Sequence, residues 1–279
     1  MTSTRVRVAA AAARLADAGV ASPRVDAELL AAHVLGVPRT RLVLAPDLDE
    51  ESSRSFEALV DRRAAREPLQ HLVGSAVLGP VSVAVGPGVF VPRPETELLL
   101  TEAVAAVRGL SAPRVVDLCT GSGALALAIA TARPDAEVHA VEADPDAVAW
   151  ARHNLADSGV HLAEADVTGS ATLATLEGSV DLVVANPPYV PDGTAVGPEV
   201  GHDPARAVFA GPDGLAVIRP LAATAARLLR AGGRVAVEHD ESHPAEVRAL
   251  LEAAGFEGVS TRADLAGRPR AAVGTRAEQ

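Results

Sequence analysis

The chain has 279 residues, of which 48% are hydrophobic and 2% aromatic, and its formal net charge is −11. This length suffices for one large domain and a small one, and the acidic balance argues against a protein that binds by neutralising many phosphates. The single cysteine, Cys119, excludes an intrachain disulfide and a metal site made of cysteines alone.

The start of the chain and its hydropathy bear on where the protein works. Residues 1–8 lack the apolar core and the cleavage site of a signal peptide. No uninterrupted apolar run is long enough to span a membrane. We therefore expect a cytoplasmic protein with no membrane partner, and we take a monomer as the default state.

Three helices are predicted in the first seventy residues, and together they form a small bundle. They cover about residues 6–18, a segment from Pro23 that ends at Gly36, and a segment from near Asp49 that ends at Pro68. We assign residues 1–68 to a helical domain and interpret it as a substrate-recognition module.

The polar residues of this bundle are predicted to face water. The second helix carries a set whose spacing fits a solvated face better than a site: Asp26, Glu28 and His33. The third helix is expected to expose Arg62, Arg63 and Arg66. No catalytic role follows from either set.

Residues 69–93 are predicted to form a β-hairpin bridge to the rest of the chain. Two short apolar runs, His71–Val73 and Val81–Val85, flank the pair Gly79-Pro80, which is typical of a turn. Residues 86–97, which run from the end of this bridge into the next domain, contain three prolines and two glycines and are therefore stiff and irregular.

Pro94 can begin a helix, with Glu95 in its first turn, where an acid interacts favourably with the helix dipole. Two interpretations of this segment stay open. Arg93 and Glu95 form a surface ion pair of little energetic value, or the segment lies over the mouth of an active site.

We assign residues 94–279 to a second domain. Its first predicted strand, turn and helix begin a βαβ unit. Residues 114–118 form a strand, residues 119–123 a tight glycine turn and residues 124–132 a helix. Glycines in such a turn let the backbone approach a ligand closely. The turn alone is weak evidence for a nucleotide site.

Acids that follow the next two strands strengthen this interpretation. Glu142 ends the strand of residues 137–142, at the place where such folds put a carboxylate on ribose hydroxyls. A third strand near residues 160–163 leads to Asp166 and Val167, which we expect to border an adenine ring. Several strand ends then converge on one ligand.

The segment Asn186–Tyr189 points to the chemistry. It follows a buried strand, residues 181–185, and two successive prolines cannot continue a strand because they lack an N–H. The Asn186 side-chain oxygen and the Pro187 carbonyl can accept both hydrogens of an –NH2 group, and the Tyr189 ring can pack on a planar group. The alternative is a strand-ending turn with a polar cap.

The choice between a dinucleotide and a methyl donor depends on these features together. Ala126 stands at the third position of the glycine fingerprint, which allows alanine, so the turn does not decide. Asp117 can bind a cationic amino group such as that of a methionine moiety. Because Asn-Pro-Pro-Tyr has no evident role in hydride transfer, we favour S-adenosyl-L-methionine.

The remainder of the chain completes an α/β sheet. Residues 191–212 are predicted to be a long loop of the kind that often covers a substrate. The predicted elements after it are helices over 214–230 and 244–254 and strands over 234–238, 256–261 and 270–275. No His/Cys spacing typical of zinc occurs, so no metal cofactor is expected.

The sequence resembles the HemK/PrmC family of bacterial N5-glutamine methyltransferases over nearly its whole length. The resemblance is carried by Arg66–His71, Val91–Glu97, Asp117–Gly123, Asn186–Tyr189 and Phe209–Leu215. It departs at Cys119, where the family usually has glycine, and at Glu142, where aspartate is common. Adenine-N6 DNA and some rRNA methyltransferases share Asn-Pro-Pro-Tyr but lack the bridge motif and the helical module.

The resemblance implies a class I, Rossmann-like methyltransferase sheet with a small N-terminal helical bundle. It implies that Asn186, Pro187, Pro188 and Tyr189 hold the glutamine of the Gly-Gly-Gln loop of peptide chain release factors, with Asn186, Pro187 and Tyr189 catalytic. The implied donor site comprises Cys119, Thr120, Gly121, Ser122, Gly123, Glu142, Asp166, Val167 and Asn186. An adenine-N6 DNA or RNA methyltransferase is the alternative function, and no direct nucleic-acid binding is expected.

Overall fold

The computed structural model describes residues 3–169 and 171–278. Met1 and Thr2, part of the N-terminal stretch considered above, lie outside the described residues. The chain divides into two compact units: the first runs up to Ser75 and includes Val196–His202, and the second comprises Ala76–Ala195 and the chain from Asp203 onward. The sequence-based boundaries after residues 68 and 93 stay a prediction.

In the described part of the first unit there are four α-helices. They are α1 (Thr4–Asp17), α2 (Pro23–Val34), α3 (Glu50–Ala64) and the short α4 (Leu69–Val73). Asp49 caps α3, because its carboxylate accepts a hydrogen bond from the Ser52 amide at 2.8 Å. The core of the unit is made by large side chains that are fully buried, among them Leu15, Leu30 and Phe56.

Arg63 and Asp26 are buried, so the prediction that both face water is wrong. Arg63 is 6% exposed, and its guanidinium donates to Asp26 Oδ2 at 2.8 Å and to Glu199 Oε1 at 3.0 Å. Arg66 binds both oxygens of Glu199 at 2.8 Å. Partial burial works against it, but the hydrogen bonds from Arg66 and Arg63 lower the pKa of Glu199 to about 2. A buried charge needs such partners, and here they tie residues 196–202 to α3.

Residues His71–Val73 are helical, so the predicted strand is wrong at this point. They belong to α4, and Leu72, which is 5% exposed, packs into the core of the first unit. The strands of the hairpin are β1 (Ser75–Leu78) and β2 (Val81–Ala84). They form a separate two-stranded sheet, which apart from Ser75 belongs to the second unit.

The second unit is built on a seven-stranded sheet in the order β5-β4-β3-β6-β7-β9-β8. Its strands are β3 (Arg114–Leu118), β4 (Glu137–Glu142), β5 (His161–Glu164), β6 (Val180–Ala185), β7 (Leu229–Glu238), β8 (Phe256–Ala263) and β9 (Pro269–Arg276). The first five in spatial order are parallel, and β9 runs antiparallel to β7 and β8. The predicted pairing of the last two strands is confirmed.

Helices cover both faces of this sheet, which confirms the predicted α/β class. They are α5 (Glu97–Ala106), α6 (Ala124–Ala132), α7 (Pro145–Leu155), α8 (Ala205–Val208), α9 (Ile218–Leu228) and α10 (Pro244–Ala253). One apolar cluster unites α5, α6 and α7 with the hairpin, and another unites α9 and α10 with the opposite face. Because α8 lies within residues 191–212, that segment is less irregular than predicted.

The described helices include none that is both long enough and apolar enough to cross a membrane.

Candidate active site

The register of the parallel strands aligns four polar or reactive side chains at one edge of the sheet. Leu118 of β3 pairs with Val141 of β4 and with Ala185 of β6, and Ala185 pairs with Val237 of β7. The residues that come next are therefore level with one another: Cys119, Glu142, Asn186 and Glu238. This is the carboxyl edge, where ligands bind in open α/β sheets.

The glycine turn after β3 adopts left-handed backbone conformations that favour glycine. The φ angles of Gly121 and Gly123 are +56° and +82°, and a Cβ on Gly123 would lie 3.0 Å from the Leu155 side chain. A Cβ on Gly121 would meet nothing within 4 Å, so the space beside this residue is open. The turn therefore has the close backbone approach and the free volume that a ligand needs.

Cys119 occupies a left-handed position in the same turn, with φ of +61°. A residue with a Cβ is strained in this conformation, so cysteine in place of the glycine that is usual in the family strains the backbone of the turn. Burial and the nearby carboxylates of Glu142 and Asp117 raise the pKa of the Cys119 thiol. The thiol is therefore protonated at neutral pH and is a poor nucleophile.

Asp117 lies beneath the turn and is 1% exposed. Its Oδ2 accepts a hydrogen bond from the Thr120 hydroxyl at 2.6 Å and from the Ala126 amide at 3.2 Å. Burial raises the pKa of Asp117 to about 7, although these two hydrogen bonds act in the opposite direction. In this geometry Asp117 supports the turn from below, and its contact with a ligand amino group stays a prediction.

Glu142 is held by backbone amides on two sides. Its Oε2 accepts from Gly121 N at 2.8 Å, and its Oε1 accepts from the amides of Ala143 and Asp144, both at 2.9 Å. A carboxylate has about four acceptor positions, so these bonds leave room for one ribose hydroxyl. The geometry fixes Glu142 at the rim of the turn, as a nucleotide-binding acid requires.

Asp166 and Val167 follow β5 and differ in exposure. The Asp166 side chain is exposed, and its Oδ1 accepts from the Thr168 amide at 2.8 Å. The Val167 side chain is 4% exposed and belongs to the core, while its carbonyl accepts from the Thr224 hydroxyl at 2.8 Å. Any contact of Val167 with an adenine ring would therefore involve its backbone more than its side chain.

The Asn186 amide is oriented by a residue that the sequence did not single out. Asn186 Nδ2 donates to the Thr96 hydroxyl at 3.1 Å. Thr96 ends a short 3-10 turn over Pro94–Thr96 and is 4% exposed. Because Nδ2 is bound, Oδ1 is the end of the amide that points away from Thr96. This is the orientation in which Asn186 presents an acceptor.

Tyr189 follows the same strand and is fixed by its hydroxyl. The hydroxyl donates to Glu238 Oε1 at 3.1 Å, and the ring packs against the apolar core on one face of the sheet. Burial and the Glu238 carboxylate raise the pKa of Tyr189, so the phenol remains protonated. Tyr189 as a whole residue is half-buried, and contact of its ring with a substrate stays a prediction.

The proline-rich segment before Thr96 is anchored by Asp203. Asp203 accepts from the Val91 amide at 3.1 Å and forms an ion pair with Arg93. The Arg93 guanidinium also lies 5.1 Å from the centre of the Phe90 ring, a cation–π arrangement. The ion-pair partner of Arg93 is therefore Asp203, so the interpretation of Arg93 and Glu95 as a surface ion pair, one of the two left open, is wrong.

Three polar residues near the site were missed by sequence reasoning: Thr96, Asn154 and Glu238. Asn154 on α7 donates to the carbonyls of Ala84 and Ser122 at 2.9 Å and accepts from the Ala84 amide at 2.8 Å. The position of Glu238 at the end of an apolar strand was a usable signal. Thr96 lies in the segment Val91–Glu97 that carries the resemblance, but nothing in the sequence marked its hydroxyl, and Asn154 gave no signal, because the partners of both are distant in sequence.

The residues at this edge fit the parts of S-adenosyl-L-methionine. The open space beside Gly121 can admit the chain of the methionine moiety, and Glu142 retains an acceptor position for a ribose hydroxyl. Asp166 is exposed next to them. Nothing in the donor set calls for a metal ion.

Comparison with known proteins identifies the family of this chain. The sequence pattern of the PrmC N-terminal domain matches residues 8–74, and that of the methyltransferase small domain matches residues 82–204. A release factor glutamine methyltransferase of Mycolicibacterium smegmatis is 56% identical over 278 residues, which cover 99% of each chain. The chain belongs to the release factor glutamine methyltransferase family.

Further relatives in this family cover similar shares of the chain. One of Streptomyces coelicolor is 49% identical over 97% of both chains, and one of Corynebacterium glutamicum is 47% identical over 93% of this chain and 94% of its own. A solved protein-(glutamine-N5) methyltransferase from Alicyclobacillus acidocaldarius is 30% identical over 70% of this chain and 99% of its own, with a TM-score of 0.44. The family assignment depends on the sequence relatives.

Proposed function

We propose that this protein transfers a methyl group from S-adenosyl-L-methionine to the side-chain amide nitrogen, N5, of the glutamine in the Gly-Gly-Gln motif of peptide chain release factors. The observation that carries the proposal is the orientation of Asn186. Its Nδ2 donates to the Thr96 hydroxyl at 3.1 Å, so Oδ1 points away from Thr96 and is available as an acceptor. Membership of the family supports the same activity.

The two acceptors would orient a weak nucleophile for attack. An amide nitrogen is a weak nucleophile because its lone pair is delocalised into the carbonyl group. Hydrogen bonds from both amide hydrogens to Asn186 Oδ1 and to the Pro187 carbonyl would fix the plane of the amide and direct the lone pair out of it. Pro188 and Tyr189 would hold the rest of the side chain, so that positioning does most of the work.

The donor would occupy the turn of residues 119–123, with Glu142 on the ribose and Asp166 and Val167 beside the adenine. When bound, S-adenosyl-L-methionine supplies an electrophilic methyl group. The protein's task is then to align the amide nitrogen with that methyl and to exclude water. The proton that the nitrogen must lose leaves after transfer, so a strong general base at the nitrogen is not required.

The decisive experiment compares the wild type with Asn186→Ala, using mass spectrometry of the Gly-Gly-Gln peptide of purified release factor. We expect one added methyl group with the wild type. At saturating donor, Asn186→Ala should lower kcat/KM by roughly 100-fold, the cost typical of removing one preorganised polar contact. Arg152→Ala is the control, because this side chain is 70% exposed on α7.

Other outcomes separate the parts of the proposal. Near-normal turnover of Asn186→Ala with intact donor binding would show that the proposed grip on the amide is wrong. Methylated duplex DNA with an untouched release factor would favour the adenine-N6 activity instead. We further propose that the protein acts as a monomer and that its substrate is the release factor itself, without direct contact to nucleic acid.

A further inference from the structure

Glu238 is a buried acid for which the described residues provide no cation at contact distance. It ends β7, level with Asn186, and is 1% exposed. Its Oε1 accepts from the Tyr189 hydroxyl, whereas its Oε2 is buried with no hydrogen-bond partner among the described residues. A carboxyl group in this state is costly to the fold, so its presence beside the acceptor site calls for an explanation in function.

The Thr96 hydroxyl relates Glu238 to Asn186, one of the two groups proposed to hold the amide of the substrate. Thr96 accepts a hydrogen bond from Asn186 Nδ2, and it lies near enough to Glu238 that it lowers the pKa of that carboxyl, although no hydrogen bond of normal geometry reaches Oε2. A hydroxyl has one hydrogen to donate and two positions at which it accepts. The direction in which Thr96 donates therefore decides what it can accept from Asn186.

We propose that Glu238 is a positioning residue for the methyl acceptor, which acts through the Thr96 hydroxyl to keep the Asn186 amide in the orientation that presents Oδ1. The proposal rests on the proposed function. An ionised carboxylate only accepts, so it draws the hydrogens of Thr96 and Tyr189 toward itself. The lone pairs of Thr96 are then available to Nδ2, and Oδ1 faces the substrate.

Protonation of Glu238 removes this constraint. A neutral carboxyl group can donate to Thr96, whose own hydrogen can then turn toward Asn186 and bind Oδ1 instead. The Asn186 amide would flip and present its N–H groups to the –NH2 of the substrate, so that donors would face donors. The grip is therefore lost in the protonated state of Glu238.

The surroundings of Glu238 place this change in an accessible range of pH. Burial raises the pKa of Glu238 to about 7, and Glu95 acts in the same direction, whereas Tyr189, Thr96 and Arg270 oppose it. Tyr189 stays protonated because its own pKa is raised, and burial lowers the pKa of His239, which is neutral in the same range. Glu238 is thus the group in this cluster that changes charge near neutrality.

The test compares Thr96→Val, which removes the hydroxyl at nearly constant volume, with Thr96→Ser, which keeps it. With release factor as the substrate, we expect Thr96→Val to lower kcat/KM by roughly 10- to 100-fold and Thr96→Ser to stay within about threefold of the wild type. Donor affinity, measured by calorimetry, should be unchanged in both. A Thr96→Val enzyme as active as the wild type would overturn the proposal.

Glu238→Gln separates a positioning role from a merely structural one, because only a positioning role changes how kcat/KM depends on pH. In the wild type, kcat/KM should fall as the pH drops below about 7. Asp117 titrates in the same range in both enzymes, so the decisive quantity is the ratio of kcat/KM between the wild type and Glu238→Gln, in which its contribution cancels. The variant should be less active than the wild type above about pH 7, and the ratio should fall toward one as the pH drops below that value. A ratio that does not vary with pH would overturn the proposal, whereas a wild type that does not methylate release factor would overturn the proposed function instead.

Discussion

Asp117, the buried acid beneath the glycine turn of residues 119–123, is a single residue that lowers the stability of the folded state at neutral pH. It is 1% exposed, and its pKa is raised from 3.8 to about 7, chiefly by burial. The folded state prefers the protonated form of this carboxyl. The contribution of Asp117 to the free energy of unfolding is therefore most favourable at a pH below the pKa that the carboxyl has in the unfolded chain. It is lost as the pH rises from about 4 to about 7, and the shift corresponds to about 2 to 4 kcal/mol.

We therefore expect Asp117→Asn to gain stability relative to the wild type as the pH rises. The difference in the free energy of unfolding should change in favour of the variant by about 2 to 4 kcal/mol between about pH 4 and about pH 8, as urea titrations would measure. Other acids, Glu238 included, cancel in this difference. A difference that does not vary with pH would show that Asp117 titrates normally.

The position of a site residue could be predicted where the neighbouring sequence marks it. It could not be predicted where it depends on a contact with a residue far away in the chain. Asn186, Glu142 and Cys119 each follow an apolar strand, so a carboxyl-edge position could be assigned to them from the sequence. Thr96 and Asn186 are 90 positions apart, and only the folded chain brings them within hydrogen-bond distance. The sequence offered the acceptor but not the group that orients it.

The same contrast holds for whole elements. The strands Arg114–Leu118 and Glu137–Glu142 and the helix Ala124–Ala132 agree with prediction residue for residue, because caps, glycines and apolar runs mark them locally. His71–Val73 was predicted as a strand, but a three-residue apolar run carries no period, and packing of Leu72 into the first unit decides for a helix. The helix Pro145–Leu155 was missed, although Asp144 and Pro145 mark its start.

Asn154 joins three elements of the second unit and is the natural place to test how the donor turn is supported. Its amide bonds both backbone groups of Ala84 in β2 and the Ser122 carbonyl in the glycine turn. Asn154→Ala leaves these three groups without that partner. We expect a loss of about 2 kcal/mol in the free energy of unfolding.

Asn154→Ala should also weaken binding of the methyl donor, because the glycine turn loses the hydrogen bond that holds the Ser122 carbonyl. Calorimetry should show a donor Kd for Asn154→Ala that is raised by roughly 5- to 30-fold. His153→Ala is the matched control, since this neighbour on α7 is exposed. If Asn154→Ala loses stability but binds the donor like the wild type, the turn does not depend on this anchor.

At the scale of the whole molecule, charge separates the proposed function from its alternative. The chain has 36 acidic and 25 basic residues, and all the basic ones are arginine. Several of these arginines are already paired with acids, as Arg206 is with Asp144 and Arg219 with Asp213. A guanidinium held by a carboxylate must break that pair before it can neutralise a phosphate, so the surplus of negative charge opposes a polyanionic substrate.

We therefore expect weak or no binding to duplex DNA even at low ionic strength, where electrostatic attraction is strongest. Fluorescence anisotropy with a labelled duplex at roughly 50 mM salt should give a Kd above about 100 μM, weaker than the micromolar range typical of non-specific DNA-binding proteins. Excess duplex DNA should likewise leave the rate of release factor methylation unchanged, because the two polymers would not compete. Micromolar binding that weakens steeply as salt is added would contradict this expectation. It would mean that the paired arginines are released to a nucleic acid, and the adenine-N6 activity would then have to be tested on that substrate.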